Sequence, residues 1–406
     1  MALPRDVPLL FATRAVRLFA YGLASVVLAL HLGAAGFDER RIGLLFTLTL
    51  LGDAAVSLVV TTRADRAGRR RMLLVGAALV VLAGVAFAVT TSFAWLAFAA
   101  TLGVLSPSGN EVGPFLPIEQ AALAQELPAS RRTAALAWYQ LTGSLATAAG
   151  ALAGGVAAGA LQGAGWAPLA STRAVFAAYA AAGLLLGALA ARLSPAIEAP
   201  PAAAGAPRTA IGLHRSRGVV ARLSALFSLD AFAGGLVVQS FVAWWFHERF
   251  GAGPVLLGAI FFGANLLAGV SALSAAAIAR RIGLLPTMIA THLPSNVLLA
   301  LVPLMPTLPL AIAVLLLRFS ISQMDVPTRQ SYTLAVVDPD ERSAAAGVTG
   351  IARSLGTALA PAAAGPLYAS AALSGVPFLL SGALKIAYDL LLWRAFRALR
   401  PPEERR

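Results

Sequence analysis

Ionisable side chains interrupt the long apolar runs of this sequence. The acids placed that way are Asp53, Glu111, Glu119, Asp230, Asp325 and Asp389; the bases are Arg17, Arg318, Arg329, Arg353 and Lys385. A charge in apolar surroundings is costly, so it persists where it pairs or where it works. A carboxylate there can take up and release a proton, and a guanidinium can clamp a carboxylate or phosphate. Glu111 follows Ser106-Pro107-Ser108-Gly109-Asn110, a polar, helix-weakening stretch inside an apolar run. Non-helical backbone at such a place needs protein or a wet cavity around it. Glu111, Asp230, Asp325 and Asp53 are therefore proton-coupling candidates. Structural pairing is the alternative: Arg17 with Asp53, Asp230 with Arg353, and Lys385 with Asp389 at i,i+4 spacing. Arg318 and Asp325 are seven apart and would share a helix face, as would Arg329 unless Pro327 turns the helix. Glu119 is placed at the cytoplasmic end of its run.

The elements that must hold these groups follow from composition. Of 406 residues, 59% are hydrophobic and 12% charged, against about 25% charged in a soluble domain. Such a chain is a polytopic membrane protein built from spans of roughly 20 residues. Backbone groups in lipid must be satisfied locally, which predicts helices. Twelve apolar segments are legible, at about 12–34, 41–61, 72–92, 94–126, 133–160, 172–193, 219–247, 255–279, 285–304, 307–337, 343–370 and 374–397. The fold class is all-α, integral to the membrane. Residues 194–217, with Pro195, Pro200, Pro201 and Pro207, read as a linker between halves 1–193 and 218–406.

The net charge is +13. The arginines cluster in alternate loops, as the positive-inside rule requires of cytoplasmic loops, and this argues against nucleic acid as a partner. It places both termini and the linker in the cytoplasm and the chain in the cell's inner (plasma) membrane. There is no cysteine, so thiolate metal sites and disulfides are excluded. No nucleophile elbow, His-Glu-x-x-His pair, phosphate loop or dinucleotide fingerprint occurs, so no enzyme chemistry, cofactor or metal is expected.

One loop carries a motif. Between segments 2 and 3 stand Asp65, Arg66, Gly68, Arg69 and Arg70, in the order Asp-Arg-x-Gly-Arg-Arg. Ala279-Arg280-Arg281-Ile282-Gly283 echoes it after segment 8, and Pro339-Asp340-Glu341-Arg342 after segment 10 echoes Pro128-Ala129-Ser130-Arg131 after segment 4. Charged motif, twelve segments and half-to-half echo together resemble the major facilitator superfamily, over essentially the whole chain. The glycine and leucine that open the family motif are Thr61 and Arg63 here. Gly150, Gly154 and Gly155 resemble a glycine motif of antiporters in the fifth helix, without its proline; close helix packing is the plainer reading.

The resemblance implies two pseudo-twofold-related six-helix bundles that expose a midplane site alternately to either side by rocking. It implies a cytoplasmic latch at the Asp65 loop, a monomer, and a cavity lined by helices 1, 2, 4, 5, 7, 8, 10 and 11. Arg17, Asn110, Gln239, Asn265, Arg318 and Arg329 are then substrate-cavity candidates. The implied function is secondary active transport of a small molecule, coupled to protons. It leans to efflux by antiport of an amphipathic or drug-like compound. The alternative is an organic anion bound by the intramembrane arginines.

Overall fold

A computed structural model describes residues 4–198, 215–338 and 341–399. Most of the linker (199–214), Pro339, Asp340 and the tail from 400 lie outside the described residues. Within them the chain is helical and has no strand.

Nine of the twelve segments are continuous or nearly so. They form α1 (Asp6–Ala34), α2 (Glu39–Ala67), α3 (Arg69–Val89), α6 (Ala129–Gly163), α7 (Pro168–Ala190), α10 (Pro254–Ile282), α11 (Leu284–Leu301), α14 (Arg342–Tyr368) and α15 (Val376–Phe396). The other three break. Segment 4 gives α4 (Phe93–Leu102) and α5 (Phe115–Glu126); segment 7 gives α8 (Arg217–Gly235) and α9 (Gln239–Phe250); segment 10 gives α12 (Leu308–Phe319) and α13 (Asp325–Ala335). Among the described residues, nine stretches are long and apolar enough to cross a membrane, counting α8 and α9 as one. The broken fourth and tenth segments, and α14, are not among them. α14 carries four glycines, Arg342, Arg353, Pro361 and Pro366, which lower its apolar content.

Two connections are as short as a chain allows. Gly68, at φ 100°, is the one residue between α2 and α3, and Gly283, at φ 91°, is the one between α10 and α11. Only glycine enters that region at no steric cost. The sequence echo between the loops after segments 2 and 8 is therefore an echo of geometry.

The chain divides into two compact units. One holds the described residues up to 198 together with Val238–Phe262; the other holds 215–237 and 263–399. In the first, α1 packs on α6 at backbone distance. A Cβ on Gly150 would lie 2.0 Å from the carbonyl oxygen of Phe19, and one on Gly154 would lie 2.3 Å from that of Leu23. In the second, α8 packs on α14 the same way: a Cβ on Gly356 would meet the carbonyl oxygen of Ser228 at 2.4 Å.

Candidate coupling and substrate site

In the first unit the irregular segment 103–114, between α4 and α5, has its backbone satisfied by side chains from the surrounding helices. Tyr179 donates to the carbonyl of Val104 (2.6 Å), Ser240 to that of Pro107 (2.8 Å) and Tyr21 to that of Val112 (3.0 Å). Asp53 on α2 accepts the N–H of Gly113 at 2.5 Å. Buried backbone groups must be paired, and lipid offers no partner. The break is thus a built feature that presents Asn110, which is exposed, and Glu111, whose side chain is 16% exposed.

Next to it lies a buried ionic cluster. Arg17 forks onto Glu119, with Nη1–Oε1 at 2.8 Å and Nη2–Oε2 at 2.7 Å, and its Nε donates to Glu111 at 2.9 Å. Arg14 donates to Glu111 (2.6 Å), to Gln140 (2.8 Å) and to the carbonyl of Tyr139 (2.7 Å). Thr13 and the Tyr139 hydroxyl also donate to Glu119. The two arginine planes lie over aromatic rings, Arg14 over Tyr139 at 4.4 Å and Arg17 over Phe115 at 4.6 Å.

Two expectations fail here. Arg17 does not pair with Asp53, because Glu111 and Glu119 take all its donors that face acids. Glu119 is fully buried rather than hydrated, because α5 packs against α1 and Arg17 holds its carboxylate. Asp53 is left as an intramembrane carboxylate with no cationic partner among the described residues.

The second unit builds a network around Asp230 on α8. Lys385 donates to its Oδ1 at 2.6 Å; Arg353 and Arg329 reach its Oδ2 at 3.3 and 3.4 Å. Arg329 also pairs with Asp325 at 2.8 Å. His292 lies between Asp389 (2.8 Å) and Asp230 (3.6 Å), and Asn296 donates to Asp389 at 3.0 Å. The Asp230–Arg353 pair was legible in the sequence. The i,i+4 pairing of Lys385 with Asp389 is overturned: Lys385 turns to α8 and Asp389 to α11. The shared face of Arg318 and Asp325 fails as well, because 320–324 leave the helix between them. Pro327 does not separate Arg329 from Asp325; it sits in the first turn of α13, where proline is tolerated.

The remaining candidates are dispersed. Gln239 donates to Ser25 at 2.7 Å and is nearly buried. Asn265 is half-buried on α10. Arg318, at the end of α12, forms no ion pair or hydrogen bond among the described residues and stacks only on Phe319, 4.8 Å from the ring centre. Sequence reasoning passed over Arg14, Tyr139, His292 and Asn296 as parts of these clusters. The i,i+3 spacing of Arg14 and Arg17 on one helix face was the available signal.

A family model described as Major Facilitator Superfamily matches residues 10–361. The chain belongs to the major facilitator superfamily. It is 31% identical to a yeast protein, the uncharacterized membrane protein YJR124C of Saccharomyces cerevisiae, over 96% of this chain and 93% of that one. Solved structures share the fold at low identity. A bacterial homologue of the human lysosomal transporter Spinster matches at 16% identity with a TM-score of 0.74, covering 96% of each chain. A D-xylose–proton symporter matches at 17% with a TM-score of 0.73, covering 96% of this chain and 97% of that one.

As a superfamily member the chain is a multi-pass membrane transporter, and its motif loop can be placed. Gly68 makes the turn; the side chains of Asp65 and Arg66 lie outside the described residues. Glu198 accepts the N–H groups of Arg69 (2.6 Å) and Arg70 (3.2 Å), answering the unpaired donors at the start of α3. The Arg69 guanidinium donates to Gln125 and to the carbonyl of Ile197, both at 3.0 Å, and Arg70 donates to the carbonyl of Ala191. These contacts tie the loop to the end of its own unit. Gly155 completes the glycine motif by packing: its Cβ would lie 2.3 Å from the carbonyl oxygen of Pro254.

Proposed function

We propose that this superfamily member couples the movement of a small organic molecule to protons, and that Asp53 carries the proton. One observation carries the reading. Glu111, Glu119, Asp230 and Asp325 all have arginine or lysine partners and Asp389 is held by His292 and Asn296, whereas Asp53 has neither a cationic nor an imidazole partner among the described residues. A proton is the simplest means of removing a charge that no side chain answers. Asp53 also holds Gly113, two residues from Glu111, so its protonation acts on the break that presents Glu111. The fold of a D-xylose–proton symporter supports proton coupling as work this architecture can do. Alternating access by a rocker-switch motion is the mechanism we adopt, with Arg17 and Arg329 as structural ties rather than substrate ligands.

Export in exchange for protons is the direction we propose, from the resemblance of Gly150, Gly154 and Gly155 to the antiporter motif. Proteoliposomes with an internal pH dye test both parts. Wild type should move protons when substrate is added, and the sign of the pH change reads the direction. Asp53→Asn should abolish proton movement while keeping substrate counterflow. Proton flux that survives Asp53→Asn would remove Asp53 from the reading.

A further inference from the structure

Among the buried and half-buried charged groups in the spans of the second unit, cations outnumber anions. Asp230, Asp325 and Asp389 stand against Arg318, Arg329, Arg353 and Lys385. Each acid is engaged: Asp230 by Lys385, Arg329 and Arg353, Asp325 by Arg329, and Asp389 by His292. The surplus falls on Arg318. Its Nε is buried and has no partner, and no carboxylate lies within ion-pair distance among the described residues.

A second orphan stands beside it in the chain. Ser322 is 6% exposed, and its buried Oγ also has no hydrogen-bond partner. Arg318 ends α12, and Ser322 lies in the non-helical residues 320–324 before α13. A buried donor left without an acceptor is costly, more so when it is charged. Two of them at one break, one on a guanidinium that Asp325 and Asp230 reach only from beyond ion-pair distance, form a donor set without an acceptor. A carboxylate or phosphate supplies acceptor and charge together. A cationic substrate would add to the surplus, and a neutral one would leave it unanswered. The neighbouring Phe319 ring offers an apolar face to the rest of such a molecule.

We propose that Arg318 and Ser322 form an anion subsite, and that the transported molecule is a small organic anion whose carboxylate or phosphate group they bind. This rests on the reading of the chain as a transporter and names its substrate class.

The test uses the full chain, purified in detergent, and follows its melting temperature with sodium benzoate, phenyl phosphate, citrate or tetraphenylphosphonium. At least one of the three anions should raise the melting temperature of wild type in a saturable way, and tetraphenylphosphonium should not. Arg318→Gln should weaken that anion at least about tenfold, the loss expected for a hydrogen bond to a charged group. Arg318→Lys should keep part of the affinity, and Ser322→Ala should weaken it less than Arg318→Gln. Asp53→Asn should retain anion binding while losing proton flux, which separates this proposal from the coupling reading. No shift with any anion, or a shift unchanged in Arg318→Gln, overturns the subsite. If Arg318→Gln does not elute as a single folded species, an undiminished shift in both Ser322→Ala and Arg318→Lys overturns it equally.

Discussion

Replacing Glu119 by glutamine keeps the shape of the side chain and removes its charge. In the intact protein this carboxylate is fully buried and accepts two hydrogen bonds from Arg17, one from Thr13 and one from Tyr139. Glutamine turns one acceptor oxygen into a donor that faces another donor. Glu111, which it shares with Arg14, is then the one anionic partner Arg17 keeps among the described residues. Removing one partner of a buried ion pair costs about 3–5 kcal/mol. For a unit of this size that lowers the melting temperature by on the order of 10 °C. The assay is loss of the monodisperse peak on heating in detergent, read by size-exclusion fluorescence. Replacing both partners by apolar residues, Arg17→Met with Glu119→Leu, should recover much of the loss, because no buried charge is then left unanswered at that position. A Glu119→Gln protein melting within about 2 °C of wild type, equivalent to less than about 1 kcal/mol, would refute the claim that these charges depend on one another.

Three further outcomes are expected. Asp230→Asn should lower the melting temperature at least as much as Glu119→Gln, since Lys385, Arg329 and Arg353 all point at this one carboxylate; the same heating assay reads it. Gly150→Leu should yield no monodisperse protein, because even a Cβ there would lie 2.0 Å from a backbone oxygen of α1; yield and elution profile decide. Gly68→Ala should cost about 1–3 kcal/mol from its sparsely populated positive-φ backbone while leaving the turn formed, and a shift in melting temperature with normal elution would show it.

The fold was legible because its main determinants are local. Apolar length gives spans. Gly68 and Gly283 announce their turns through a conformation that other residues avoid. The breaks at segments 4 and 10 were signalled by Pro107 with its polar neighbours and by the polar content after Arg318. The break in segment 7, at Leu236–Val238, had no comparable marker. The partners within the clusters were less accessible. Which acid Arg17 meets depends on how α5 returns after an irregular segment, and helical periodicity does not carry through a break. Lys385 and Asp389 illustrate the same limit from the other side. Their spacing favours a pair within the helix, yet each finds a partner on another helix. A charge in the interior goes to the site with the most unanswered opposite charge, and Asp230, with two oxygens facing a crowded donor set, outcompetes an acid already held by His292 and Asn296.

The two units solve the same problem with opposite signs. In the first, arginines on the opening helix, Arg14 and Arg17, meet acids of the broken fourth segment, Glu111 and Glu119. In the second, the opening helix supplies the acid, Asp230, and the broken fourth segment supplies Arg329. A charge changed alone in such a place leaves its partner buried and unanswered, so exchange of sign is tolerable only when both members change. Each cluster can therefore be nearly neutral while leaving a different remainder: an acid, Asp53, in the first unit, and a base, Arg318, in the second. Those remainders are where a mobile ion and a mobile substrate can matter. A paired charge gains little from either, but an unpaired one is stabilised by whatever neutralises it and responds when that partner leaves. This is why Asp53 and Arg318, rather than the more conspicuous clusters beside them, are the residues on which coupling and selectivity are proposed to rest.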